Sequence, residues 1–186
     1  MQEEAHDYIF LDGTEERELL IDRIGRARQG VRLVIDSVPE DLWYTPRYHG
    51  WTPAAMLGHL NLSDNLSLLL LRSALVGLRL KLSARQLDHL NNISARLFQK
   101  RLVAASLRSM ERDQQRLADF VLHLPINKFS LQVYNPGTQT FTTVERGLQE
   151  FFLFHWEDHL KTMRQVEGIQ PPAEPGAAPP SRSDNM

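Results

Sequence analysis

The sequence predicts an all-α protein, an antiparallel four-helix bundle with a long first crossover connection. Apolar residues recur at alternating steps of three and four positions along most of the chain, which is the spacing of one helix face. The long helical stretches end at proline or glycine. With 186 residues and a hydrophobic content of 42%, the chain is long enough for one domain with a single core.

We expect this four-helix-bundle domain at residues 14–167. A short N-terminal arm, residues 1–13, precedes it. The segment 168–186 holds half of the chain's ten prolines and almost no bulky apolar side chain, so it is predicted to be a Pro-rich disordered tail.

The first helix is predicted from Thr14 to Ser37, and Pro39 ends it. The segment that follows contains prolines and a glycine, so it is predicted to be the long connection. A second helix begins after Thr52, a plausible N-cap, with Pro53 at its first position. The inward face of the second helix is predicted to comprise Met56, His59, Ser63, Leu66, Leu70 and Ser73.

One part of the second helix, Leu68 to Leu71, is apolar on every side. A helix that is hydrophobic all round is covered by more than one neighbour. The cover could come from other helices of the same chain or from a partner subunit. We therefore predict a homodimer that hides part of this helix.

The second half of the chain contains two further long helices. Ser83 and Gln86 have the spacing of a capping box and predict a short helix, which a third long helix from Ser94 to Leu124 follows. A turn or small hairpin is predicted around 135–137, and a fourth helix begins with Thr142 as its N-cap. The fourth helix runs to about Val166, and its inner face is predicted to carry Leu148, Phe151, Phe152, His155, His159 and Thr162.

Composition excludes several function classes. The 21 basic and 23 acidic residues give a net charge of −2 without a long basic run, which disfavours nucleic-acid binding. The chain has no cysteine, so any metal site must use His, Asp or Glu, and any thiol must come from another molecule. Neither a signal peptide nor a membrane span is recognisable, so we expect a soluble cytoplasmic protein without membrane contact.

Three histidines are candidate metal ligands. His155 and His159 are four residues apart, so their side chains leave the same face of a helix about one turn apart. His59 lies on the inward face of the second helix, and side chains of facing helices converge in a bundle core. Three neutral imidazoles can hold a divalent ion and leave coordination positions open, as in catalytic sites. The alternative is that all three are core histidines satisfied by hydrogen bonds.

The other histidines are expected at the surface or in capping positions, where the ordinary exposure of histidine places them. A zinc-protease motif is excluded because Trp156, and no glutamate, follows the first histidine of the pair. The four remaining histidines are His6, His49, His89 and His123.

The order of these motifs resembles the DinB-like superfamily, also called YfiT-like, of small four-helix metalloproteins. The resemblance covers about residues 14–166. It implies three metal ligands, namely His59, His155 and His159. In many members a Gln stands where this chain has Thr162, and a His where it has Asp158, so the polar surroundings of the ligands are expected to differ. The matching residues are Trp51, Thr52, Pro53, Gly58, His59, Leu60, His155 and His159.

The resemblance implies a divalent-metal-dependent enzyme with a small-molecule substrate. The first hypothesis is an S-transferase that uses a low-molecular-weight thiol, because the chain has no thiol of its own. A metal-dependent hydrolase of the same fold is the alternative, and a non-catalytic module that binds a metal or dimerises is a second one. Nickel, zinc, iron and manganese all accept imidazole ligands.

The sequence identifies no catalytic base. Asp158 is a candidate acceptor for an imidazole N–H, and Ser63 lies one helical turn after His59. Glu157 is expected to face solvent and Asp64 to lie on the flank of its helix. Four large side chains either line a pocket or fill the core, and the core is the favoured interpretation, namely for Trp51, Met56, Phe152 and Trp156. Thr162 is a further pocket candidate.

Overall fold

The computed structural model describes residues 6–170, so residues 1–5 and the Pro-rich tail from 171 onward lie outside the described residues. The helices are α1 (Thr14–Ser37), α2 (Pro53–Leu75), α3 (Ala84–Phe98), α4 (Val103–His123), α5 (Val144–Gln149) and α6 (His155–Glu167). A π-helical turn, Glu150–Phe154, joins α5 to α6 without a break. Two short strands, β1 (Gln132–Asn135) and β2 (Thr140–Thr143), pair in antiparallel fashion. The predicted all-α bundle is confirmed.

Helices α1 and α2 lie diagonally opposite each other in the bundle. Helix α1 packs against α4 and α6, whereas α2 packs against α3, α4 and the π turn. The long connection must therefore cross the end of the bundle, as expected. The indole of Trp43 fixes this connection by donating to the backbone carbonyls of Ile35 and Val38 at 3.2 and 3.0 Å. Within residues 6–170, no helix is both long and apolar enough to cross a bilayer.

The all-round apolar run of α2 is covered by the chain itself. Leu68, Leu70 and Leu71 are buried, and of the four residues only Leu69 is exposed, at 54%. The elements that pack on α2 are α3, α4, α5, β1 and the π turn, and a Cβ atom at Gly147 of α5 would lie 3.6 Å from the Leu71 side chain. The run therefore gives no support to a homodimer, which stays a prediction.

The prediction of one long third helix from Ser94 to Leu124 is wrong in its first part. The capping box of Ser83 and Gln86 is confirmed, but its helix α3 continues to Phe98, and the chain then turns before α4 begins at Val103. Both helices pack against α2, which requires a change of direction between them. No proline or glycine marks the turn, since tertiary packing imposes it.

The predicted hairpin is confirmed, with Val133 opposite Thr142 in its register. The predicted N-cap of the last helix is off by one residue. Thr142 lies within β2, and Thr143 accepts the capping hydrogen bond from the Arg146 backbone N–H at 3.2 Å. The side chain of Gln139 anchors the hairpin to the segment before α3, since it donates to the Leu82 carbonyl at 3.1 Å.

Helix α3 can approach α2 closely because residue 58 is a glycine. A Cβ atom at Gly58 would lie 2.4 Å from the Phe98 ring. We expect Gly58→Ala to destabilise the fold by about 1–3 kcal/mol, because the half-buried Phe98 ring that packs on this position must shift. Urea unfolding measures this loss.

The control is Gly25→Ala in α1, another helical glycine, where the added Cβ would meet only the Gln114 side chain at 3.5 Å. This change should be neutral or stabilise by up to about 1 kcal/mol, because alanine is the better helix former. Equal effects of the two substitutions would contradict the close packing of α2 and α3.

Candidate metal centre

The three predicted ligands meet in the structure. His59 of α2 faces His155 and His159 of α6, and one ring nitrogen from each lies within 4.8 Å of the others. The Nε2 atoms of His155 and His159 are 3.1 Å apart. Two nitrogens bound to one tetrahedral ion at 2.0–2.1 Å would be about 3.3 Å apart. The three histidines could therefore bind one metal ion.

Burial favours the neutral, metal-binding form of these rings. It lowers the pKa of His59 to about 4, and the charge of His159 adds to the effect. The pKa of His155 lies well below its ordinary value for the same reason, with contributions from the other two rings. Burial also lowers the pKa of His159, although the carboxylate of Asp158 opposes it. Neutral imidazole is the form that binds metal.

A tight turn places an aromatic wall beside the first ligand. His49 and Gly50 both have positive φ angles, 50° and 88°, and the Trp51 backbone N–H donates to the Tyr48 carbonyl at 3.0 Å. Glycine tolerates this conformation without a steric penalty. The turn brings the Trp51 ring edge-on to the ring of His59, with 4.9 Å between centroids.

The histidines lie in an open cavity of about 570 Å³ between α2, α3, the hairpin and the last helix. Two histidines that were expected at the surface or in capping positions, His6 and His49, belong to its lining. The ring of His6 stacks on Phe154 at a centroid distance of 4.0 Å. The sequence could not reveal these contacts, because both residues lie in irregular segments without periodicity.

Most of the predicted pocket residues line this cavity, namely Trp51, Met56, Ser63, Asp158 and Thr162. Phe152 does not, since it is 1% exposed and belongs to the core, which was the favoured interpretation of this residue. The π turn explains the difference, because it adds a residue to one turn and changes which side chains share a face. Phe151 and Phe154 line the cavity instead.

Asp158 is exposed and makes no hydrogen bond to an imidazole within residues 6–170. Its backbone carbonyl accepts a hydrogen bond from the Thr162 hydroxyl at 3.1 Å. The carboxylate therefore acts on His159 through its charge, by raising that pKa, and the expected contact to an imidazole N–H is not formed.

A glutamate that sequence reasoning missed forms part of the cavity wall. Glu150 begins the π turn and is half-buried. Its Oε1 accepts from the Tyr8 hydroxyl at 2.8 Å, and its Oε2 accepts from the Asn135 side-chain amide at 2.6 Å. The N-terminal arm, the hairpin and the last helix thus meet at one carboxylate.

A second missed carboxylate lies behind the histidines. Asp64, expected on the flank of α2, is 3% exposed and bonds Arg28 of α1 at 2.6 Å and the Trp156 indole of α6 at 2.8 Å. The Arg28 guanidinium also lies over the Trp156 ring at 5.0 Å. Burial raises the pKa of Asp64 to about 7, while Arg28 and Trp156 act to lower it. The available signal was that Arg28 falls on the apolar face of α1.

Comparison with known proteins supports the fold. No protein-family model matches the chain, and no curated protein matches it by sequence. A solved structure described as YfiT from Bacillus subtilis, "a probable metal-dependent hydrolase with an unusual four-helix bundle topology", superposes with a TM-score of 0.68. The match has 17% sequence identity and covers 90% of this chain and 95% of that chain. The chain therefore has a DinB/YfiT-like fold.

The buried ion pair generates a first prediction about this site. Asp64→Asn should destabilise the protein by about 3–5 kcal/mol at pH 8, because Arg28 would keep a buried and uncompensated charge. Adding Arg28→Met should recover part of the loss by removing that charge. Chemical unfolding measures both effects.

The matched control is Asp22→Asn, which breaks an exposed ion pair to Arg26 of 2.9 Å. This pair is expected to contribute less than about 1 kcal/mol, because water and salt screen it. A similar small loss for Asp64→Asn would refute a structural role for the buried pair.

The lowered pKa of His59 predicts the pH dependence of stability in metal-free protein. Between about pH 6.5 and 4 the unfolded chain takes up a proton at this residue and the native state does not, so stability falls as pH falls. Protonation of His59 in the unfolded chain accounts for a loss of about 3 kcal/mol in the free energy of unfolding. His59→Ala should flatten the decline, measured by unfolding in a chelator at several pH values. The control is His123→Ala, which alters an exposed histidine and should give a curve of stability against pH parallel to that of the parent. If His59→Ala also gave a parallel curve, the ring of His59 would not be neutral and buried in the native state.

Proposed function

We propose that this protein is a divalent-metal-dependent enzyme that holds its metal through His59, His155 and His159 and acts on a small molecule. The convergence of three imidazole nitrogens within 4.8 Å, in an open cavity, carries the proposal. A cluster of ring nitrogens supplied by α2 and α6 suits one ion and leaves space for a substrate.

The donor set fits a divalent ion of the nickel, zinc, iron or manganese class. Such an ion, when bound, supplies Lewis acidity that activates water or a thiol near neutral pH. The protein's own residues would bind the ion and orient the substrate beside it. The indole of Trp51 and the side chain of Met56 give the site an apolar wall, and the Asp158 carboxylate offsets positive charge near His159.

Hydrolysis is the reaction that we favour. A protein of the same fold is described as a probable metal-dependent hydrolase, and hydrolysis needs no nucleophile from the chain itself. Transfer to a low-molecular-weight thiol is the second candidate, because the chain has no cysteine and the cavity of about 570 Å³ can admit a cosubstrate thiol. A non-catalytic metal-binding module would need no such open cavity. The homodimer and the cytoplasmic location stay predictions.

Metal uptake tests the proposal directly. Untagged protein should bind close to one equivalent of nickel, zinc, iron or manganese by elemental analysis. Saturating metal at a hundredfold excess over Kd should stabilise the fold by about 2.7 kcal/mol, and a chelator should lower the melting temperature again. Alanine at any one of the three histidines should abolish this shift.

The control is His123→Ala, because that ring is exposed at the end of α4 and its Nδ1 contacts the Asp119 carbonyl at 2.8 Å. This variant should keep the full metal-dependent shift. If the melting temperature of the parent protein changes neither with a chelator nor with any of the four metals, the metal site is refuted.

A further inference from the structure

We propose that Glu150 selects a substrate that carries a protonated amine, and that this amine binds the Glu150 carboxylate while the reacting group lies at the three histidines. The inference deepens the proposed function and rests on it, since it names the substrate class of the same cavity. Three observations support it: the position of Glu150 in the cavity, the fixed orientation of its carboxylate, and the charge of the cavity wall.

The π turn brings Glu150 into the cavity. The His155 backbone N–H donates to the Glu150 carbonyl, five residues earlier. In an ordinary α-helix, residues five apart point about 140° away from each other. The wider turn lets both side chains line one cavity. An inserted residue therefore places a carboxylate on the face that carries the histidine pair.

Two neutral donors hold the carboxylate in a fixed orientation. The Tyr8 hydroxyl donates to Oε1 at 2.8 Å, and the Asn135 amide donates to Oε2 at 2.6 Å. Asn135 is itself fixed, because its carbonyl oxygen accepts from the Gly137 backbone N–H at 2.8 Å. Each carboxylate oxygen keeps further acceptor capacity for a ligand. Neutral donors leave the negative charge in place.

The charge of the cavity wall favours a cation near Glu150. Glu150 and Asp158 are the acidic side chains of the lining, and within residues 6–170 no lysine or arginine belongs to it. The Arg146 guanidinium lies over the Tyr8 ring at 4.2 Å and hydrogen-bonds the Tyr8 side chain, but it is not part of the lining. A metal ion at the histidines would attract an electron-rich group, so an ammonium group at the other end of the same molecule suits the carboxylates. A carboxylate or phosphate there would be repelled.

Three small thiols test this preference, because they share the metal-binding group and differ in the charge of the other end. The probes are cysteamine, 2-mercaptoethanol and 3-mercaptopropionate, titrated into Co(II)-loaded protein at pH 8. The thiolate-to-cobalt absorption band reports binding. The ratio of the cysteamine affinity to the 3-mercaptopropionate affinity should fall roughly tenfold in Glu150→Gln, because one attractive charge is removed. Comparing ratios between proteins cancels the different acidities of the thiols.

Two further variants serve as controls. Glu18→Gln removes the same charge from an exposed position of α1 and should keep the parent ratio. Glu150→Asp keeps the charge and should retain part of the preference. An unchanged ratio in Glu150→Gln, or an equal loss of affinity for all three thiols, would overturn the inference, because Glu150 would then be only a structural part of the wall.

A readout without metal separates this inference from the proposed function. In metal-free protein, cysteamine should shift the NMR signals of the Asn135 side-chain amide, which donates to Glu150, and 3-mercaptopropionate should not. If neither cobalt nor any of the four metals binds but this selective shift appears, the metal-dependent function fails and the amine preference stands. If cobalt binds and neither the shift nor the affinity ratio depends on Glu150, the amine preference fails alone.

Discussion

The carboxylate of Asp64, buried between the Arg28 guanidinium and the Trp156 indole, links three helices across the centre of the bundle. Arg28 and Asp64 belong to α1 and α2, which lie on a diagonal and share few other contacts. A buried ion pair is tolerated only in good geometry, because both charges lose their hydration. The relative position of the helices is therefore constrained. Since Trp156 directly follows His155, the same contacts set how α6 presents its histidines to His59 of α2.

The residues around the histidines come from segments that a plain four-helix bundle does not need. The turn at His49 and Gly50 positions the Trp51 ring, and the hairpin contributes Asn135. The π turn brings Glu150 and Phe154 to the cavity, while Phe152 packs in the core. The helices thus supply the candidate ligands, whereas these additions determine the shape and the charge of the cavity. A fold can serve different reactions through changes in such local features.

Helical periodicity predicted much of this architecture. The apolar stripes located α1 and α2, the capping box of Ser83 and Gln86 located the start of α3, and the turn residues 135–137 located the hairpin. Histidine spacing also selected the three rings that meet. The break after Phe98 was missed because the local sequence is compatible with a continuous helix. Packing against Gly58 and the rest of α2 redirects the chain there.

The sequence alone determined the helical fold class and the three candidate ligands, because residues four apart must share a helix face and inward faces must meet in a bundle. Only the tertiary structure decided what surrounds them. Asp64, Glu150 and His6 gain their partners from segments between 15 and 148 residues away in the chain. The π turn likewise has no local signature, so the entry of Glu150 into the cavity could not be foreseen. Such contacts depend on how elements pack, which periodicity does not encode.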